Sequence, residues 1–192
     1  MAAPDPFSSL LGAVGPSSDY DLNGHVALSP DRILRPAAVL VGLVEGRDGP
    51  RVILTKRASH LRHHPGQVAF PGGKFEPGDA TPEAAALREA QEEIGLDPAQ
   101  VEPLGRLPQH ETVTGFAVTP VLARIHGAFA PVPEAGEVQE VFDVPLSHVT
   151  DPARFRIERR MWRGEWRRYY VVPFGPYYIW GATACILRGL AR

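Results

Sequence analysis

From Thr81 to Gly95 the chain reads TPEAAALREAQEEIG, a stretch that leaves little choice of structure. Thr81 is a natural N-cap. Pro82 suits the first helical position, where its missing N–H costs nothing. Ala84 to Ile94 are helix formers almost without interruption, and Gly95 supplies a C-cap. The stretch therefore predicts a helix with a narrow apolar stripe of Leu87, Ala90 and Ile94. On that helix Glu89, Glu92 and Glu93 share one face, where like charges repel by about 0.2–0.5 kcal/mol per pair. Acid concentrated in this way calls for a counter-charge. Arg88 stands four residues before Glu92 and can orient an acid. Gly72-Gly73 predicts a tight turn that brings backbone carbonyls near the carboxylates. Glu89 and Glu93, on adjacent turns, can share a hard cation, and oxygen-only donors suit Mg²⁺ or Mn²⁺ rather than zinc.

The rest of the chain supplies strands. Ala37–Gly46 and Arg51–Arg57 predict two strands joined as a hairpin by the Asp-Gly signal of "RDGP". "VAFPGG" predicts a short strand ending in a turn. "FAVTPVLARIHG" predicts a strand interrupted by Pro120, Gly127–Glu137 a loop, and "VQEVFDVPL" a strand leading to a turn. "RFRIERRMWRGEWRRYYVVPFG" predicts a hairpin around Arg163-Gly164, and "ATACILRGLAR" a closing helix. Residues 1–35, rich in Pro, Ser, Gly and Asp, predict an arm with a short helix near Pro6–Val14. There is no internal repeat. This order of strands and helices predicts one mixed α/β domain over residues 36–192.

Bulk properties narrow the function classes. With 192 residues the chain can build one sizeable core. A formal net charge of −2 provides no global field to attract nucleic acid or an anionic membrane. The one cysteine, Cys185, excludes an internal disulfide and suits a reducing cytoplasm. The first twenty residues lack a basic region followed by an apolar run, so no signal peptide is expected. No segment reaches the roughly 20 apolar residues of a membrane span. A small-molecule substrate in the cytoplasm is the expectation.

"REAQEEIGL" (Arg88–Leu96) resembles the Nudix box, whose core is Arg-Glu-aliphatic-x-Glu-Glu-x-Gly-aliphatic. Upstream the match departs. Gly73 is followed after five residues by Asp79 where the general box has Glu, and eight residues rather than seven then precede Arg88. "ILTKRASHLRHHPGQVAFPGG" (Ile53–Gly73) resembles the signature before the box in the coenzyme A pyrophosphatase branch of Nudix hydrolases, which carries the same extra residue. "YIWGATA" (Tyr178–Ala184) resembles that branch too. The resemblance covers roughly residues 36–190. It implies an α/β/α sandwich around a mixed sheet, with the box helix on one face. It also implies metal-dependent attack of water on a nucleoside-linked diphosphate. For coenzyme A the products are 4′-phosphopantetheine and adenosine 3′,5′-bisphosphate.

Within that resemblance the expected metal ligands are Glu89 and Glu93, with Glu92 for a second ion and the Gly73 carbonyl completing a shell. Arg88 is expected to orient carboxylates. The general base is expected in the distal loop, at Glu137 or Glu140. Lys56, Arg57 and Arg62 are candidates for the 3′-phosphate. His60, His63 and His64 form an H-x-x-H-H pattern, but no cysteine or fourth ligand accompanies it, so lining a polyphosphate path or shaping the loop are the readings preferred over zinc. Trp162, Trp166, Tyr169 and Tyr170 are expected to pack the hairpin, and Cys185 to sit in the core. Two rivals remain at this point. One is a Nudix hydrolase of another substrate, such as ADP-ribose or NADH; the other is a non-catalytic module that keeps the fold.

Overall fold

The computed structural model describes residues 7–12, 15–24 and 31–191. In chain order the elements are α1 (Ser8–Leu11), β1 (Ser17–Ser18), β2 (Arg35–Gly46), β3 (Gly49–Arg57), β4 (Val68–Ala69), β5 (Gly72–Lys74) and α2 (Pro82–Ile94). They continue with β6 (Val101–Arg106), β7 (His110–Glu111), β8 (Phe116–Ile125), β9 (Val138–Pro145) and α3 (Leu146–Val149). The last are β10 (Arg156–Trp162), β11 (Glu165–Val171) and α4 (Ala182–Leu190).

Nine strands form one mixed sheet. At its centre β2 runs parallel to β8, with Arg35 opposite Phe116 and Leu43 opposite Arg124. Its other side pairs antiparallel with β5 near the start and β3 near the end. β3 is flanked in turn by β4 and β9, and β8 by β6 and β7. A parallel pair needs a long crossover, and α2 lies within the one joining β2 to β8. Alternation along β2 sorts the core into two layers. Ala38 and Leu40 join Ala85, Ala86, Ala90 and Ile94 under α2. Ala37, Val41 and Leu43 join Leu187 and Leu190 of α4 on the opposite face. The protein is thus an α/β/α single domain with α2 covering one side of the sheet.

α2 ends where its caps require. Thr81 Oγ1 accepts from the Ala84 amide at 3.1 Å, and Gly95 closes the helix in the left-handed region at φ 69°. Its buried surface is more alanine-rich than expected: Ala85 and Ala86 take the sheet-facing positions and Leu87 is only partly covered. Alanine here, against Ala38 and Ala123 of the sheet, lets the helix approach closely.

Three other expectations change. Gly72-Gly73 is a strand rather than a turn, with Val39 opposite Gly72 and Ala38 opposite Gly73. A Cβ on Gly72 would come within 2.6 Å of Val39 Cα, so only glycine permits this approach. Pro120 does not interrupt β8. Its carbonyl accepts from Leu107, just where flanking strands β6 and β7 are broken, so the missing N–H faces a position that needs no donor. β6, β7 and the single-turn α3 carry no strong local pattern and were not expected.

The Arg163-Gly164 hairpin forms as expected, with both residues at positive φ (51° and 84°). It stands apart as a two-stranded sheet. The described part of residues 1–35 packs onto the domain. Phe7 is buried, β1 pairs with β7, and Asn23 bonds both the N–H and C=O of Arg168. Among the described residues no helix is long and apolar enough to cross a membrane.

Candidate functional site

α2 and β5 face each other across the sheet edge, and their contact builds the carboxylate site. The Gly72 amide donates to Glu93 Oε2 at 3.0 Å. Glu93 is only 5% exposed. Burial raises its carboxyl to about 7, with the Glu89 and Glu137 charges adding to the rise, while the Gly72 bond and the Arg57 charge oppose it. Burial also raises Glu89, one turn earlier, against the pull of Arg88. Gly73 packs against Glu89 so closely that a Cβ would sit 2.7 Å from the carboxyl carbon. Two desolvated acids thus stand on adjacent turns beside the partly exposed Gly72-Gly73 backbone.

Arg88 anchors the rim. It bonds both oxygens of Asp79, at 3.1 and 2.9 Å, Glu92 at 3.1 Å and the Lys74 carbonyl at 3.1 Å, and lies 3.2 Å from Glu89. The fork on Asp79 holds that carboxyl below its usual range. Asp79, whose spacing departs from the general box, thus fixes the arginine and through it Glu89 and Glu92. Glu92 itself is exposed.

The two candidate bases part company. Glu137 ends a loop pinned to the carboxyl end of α2 by Val132 on Ile94 and Glu134 on Glu93. Its carbonyl accepts from Ala58 at 2.8 Å, and its charge acts on Glu89 and Glu93. Glu140 pairs with Lys56 across β3 and accepts from the Tyr177 hydroxyl. Tyr177 stacks on Phe142, in the layer away from α2. The structure brings Glu137 to the carboxylates and leaves Glu140 on the other face.

A cleft of about 760 Å³ opens beside β5. Gly72, Gly73, Lys74 and Arg57 border it, with His63 and His64 at one side. Its far wall holds Arg35, Thr112, Thr114, Phe116, Trp162 and Arg163. Lys56 lines a neighbouring cavity with Arg160, Tyr177 and Trp180, and Arg62 is exposed and borders neither. The sequence reading missed the far wall. Arg35 and Phe116 meet only through the parallel β2–β8 register, where the guanidinium lies 4.0 Å from the ring centroid, and no local pattern signals that. Trp162 and Trp166 stack on arginines of the hairpin; Trp162 also edges the cleft, while Trp166 is 52% exposed. Cys185 is mostly buried, and burial raises its thiol to about 12.

The donor set fits a hard divalent ion. Both carboxylates are oxygen donors destabilised as anions by burial. Among the described residues no three acid, His or Cys side chains are gathered into a closed cluster.

Comparison with known proteins identifies the family. The NUDIX domain model matches residues 34–163. The chain is 46% identical over 183 residues to an uncharacterized Nudix hydrolase, NudL, of Enterobacter sp. (strain 638), covering 90% of this chain and 95% of that one. It is 45% identical over 157 residues to NudL of Salmonella paratyphi B, covering 82% and 81%. Among solved structures, the Nudix hydrolase RenU of M. smegmatis superposes with a TM-score of 0.51 at 28% identity, over 60% of this chain and 73% of that one. A capped helix of box acids, a glycine strand laid against them and this span of similarity make the chain a member of the Nudix hydrolase family.

Proposed function

We propose that the chain is a divalent-metal-dependent diphosphatase of coenzyme A or its derivatives, releasing 4′-phosphopantetheine, or its acyl form, and adenosine 3′,5′-bisphosphate. One observation carries the reading. The segment Ile53–Gly73, whose resemblance points to coenzyme A, supplies Arg57, His63, His64, Gly72 and Gly73 to one cleft, and its two glycines are the residues that touch Glu93 and Glu89. A pattern that only shaped a loop would have no reason to line that cleft.

In this reading Glu89, Glu93 and the Gly73 carbonyl hold the ion, with Glu92 for a second. When bound, it neutralises phosphate charge and lowers the pKa of the attacking water. Arg88 fixes the directions of Glu89 and Glu92. Arg57 and Lys74 at the cleft border offset the charge of the diphosphate. Water attacks one phosphorus, its proton passes to Glu137, and the P–O–P bond breaks with its electron pair leaving on the departing phosphate. Lys56 and Arg62 lie further out: Lys56 faces the neighbouring cavity, and Arg62 meets only the approach.

The test is direct. Purified protein is incubated with coenzyme A, ADP-ribose and NADH, each with Mg²⁺ or Mn²⁺, and products are identified by mass. Coenzyme A should yield the two halves named above. Cleavage of ADP-ribose or NADH with coenzyme A left intact would overturn the substrate assignment. Glu93→Gln should lower kcat by on the order of 10³-fold, the worth of several kcal/mol of charge stabilisation.

A further inference from the structure

Arginine is balanced unevenly in this molecule. Arg51 meets Asp143, Arg88 meets Asp79 and Arg106 meets Glu83. The β10–β11 hairpin is different. Residues 156–171 contain Arg156, Arg159, Arg160, Arg163, Arg167 and Arg168 against Glu158 and Glu165, a net +4 in a chain of net −2, so the rest carries −6. Among the described residues none of these six arginines forms an ion pair with an acid. Four rest on rings instead: Arg159 on Trp166, Arg160 on Trp180, and Arg163 and Arg167 on Trp162.

Register sorts them into two faces. Arg160 lies directly opposite Arg167, and Arg159 opposite Arg168. Like charges so placed repel. On the outer face Arg159 and Arg168 are exposed, and solvent screens them. The inner face is different. Arg167 is partly buried between Tyr20 and Trp162, 5.4 and 4.6 Å from their centroids. Its Nε and Nη1 are buried without a hydrogen-bond partner. Arg160 and Arg167 line a small cavity that shares Trp162 and Val113 with the cleft. Asp19 reaches the same cavity, but its oxygens are taken by His110 Nε2 at 3.2 Å and the Val113 amide at 2.8 Å.

Two opposed guanidinium groups, one with unmet buried donors, call for an acceptor with several oxygens and more than one charge. We propose that Arg160 and Arg167, beside Trp162, bind a phosphomonoester dianion: the ribose phosphate of a nucleotide that is not part of the diphosphate being cleaved. Lys56 lines the adjoining cavity that Arg160 also borders. Only the source of the phosphate rests on the coenzyme A reading.

The test is calorimetric titration of the full chain in EDTA, where nothing turns over. The ligands are adenosine 3′,5′-bisphosphate, adenosine 5′-monophosphate and inorganic phosphate. The bisphosphate should bind about 10–150-fold more tightly than the monophosphate, the worth of one charge-assisted contact. Arg167→Gln should bring that ratio close to one. Arg160→Gln, at an exposed position where the fold is not at stake, should lower it too. Arg159→Gln, with the same loss of charge on the outer face, should leave it unchanged. A parent ratio near one, or an equal loss in Arg159→Gln, would overturn the site. Inorganic phosphate binding as tightly as the bisphosphate would overturn the nucleotide source. Coenzyme A hydrolysis is scored separately. Turnover with a ratio of one sinks this site alone, and a large ratio without turnover keeps the site while sinking the coenzyme A reading.

Discussion

Glu93→Gln should make the metal-free protein more stable, and only above a certain pH. Burial raises the Glu93 carboxyl to about 7 from an ordinary 4.5. Between those values the folded state holds a proton that the unfolded state has released, so stability falls as pH rises. Below about 4.5 both states are protonated and no penalty exists. Above about 7 the penalty is complete, at 1.36 kcal/mol per pH unit or about 3 kcal/mol. Glutamine can still accept the Gly72 amide bond but carries no charge to desolvate. In EDTA at pH 8 the variant should therefore unfold about 6–12 °C above the parent, at 2–4 °C per kcal/mol for a chain of this size. At pH 4 the two should coincide. Saturating Mg²⁺ should erase or reverse the order, since an ion at 100 times its Kd adds about 2.7 kcal/mol to the parent alone. Thermal melts at pH 4, 6 and 8, with and without the ion, read all of this. A variant no more stable than its parent at pH 8 in EDTA would refute the claim that Glu93 is an anion held at a cost for its ligand.

Three further outcomes follow from the same geometry. Glu137→Gln should lower kcat about 10²–10⁴-fold, the usual worth of a general base, while Glu140→Gln leaves kcat near the parent; the reverse order in steady-state kinetics would move the base to the other face. Gly73→Ala should push the Glu89 carboxylate aside without unfolding the protein, and a displacement of that size can cost about 10²-fold in turnover; a parent-like rate would remove Gly73 from the site. Thr81→Ala should cost about 0.5–2 kcal/mol through loss of the N-cap bond, read as a lower melting temperature with unchanged KM.

How much of this was legible beforehand depends on the range of the interactions involved. α2 could be read to its caps because Thr81, Pro82 and Gly95 act within one turn of their own positions, and the acid face follows from helical spacing alone. The Arg163-Gly164 turn was legible for the same reason. The cleft's far wall was not, because Arg35 and Phe116 become neighbours only after β2 and β8 pair across eighty-one residues of chain. Glu137 and Glu140 differ in where they stand relative to the start of β9. β9 pairs Glu140 with Lys56 and Val138 with Arg57, leaving Gln139 as an extra residue at a bulge. A single-residue offset moves a side chain to the opposite face of a sheet. Before the bulge, Lys56 and Glu140 look toward Tyr177. After it, Arg57 borders the cleft and the chain passes into the loop that carries Glu137. Ordinary alternation along β3 divides the two neighbouring cations, giving Arg57 to the cleft and Lys56 to the cavity it shares with Arg160. The acids are separated by the end of the ladder: Glu140 lies within β9, whereas Glu137 precedes it in the loop that Val132 and Glu134 pin to the end of α2.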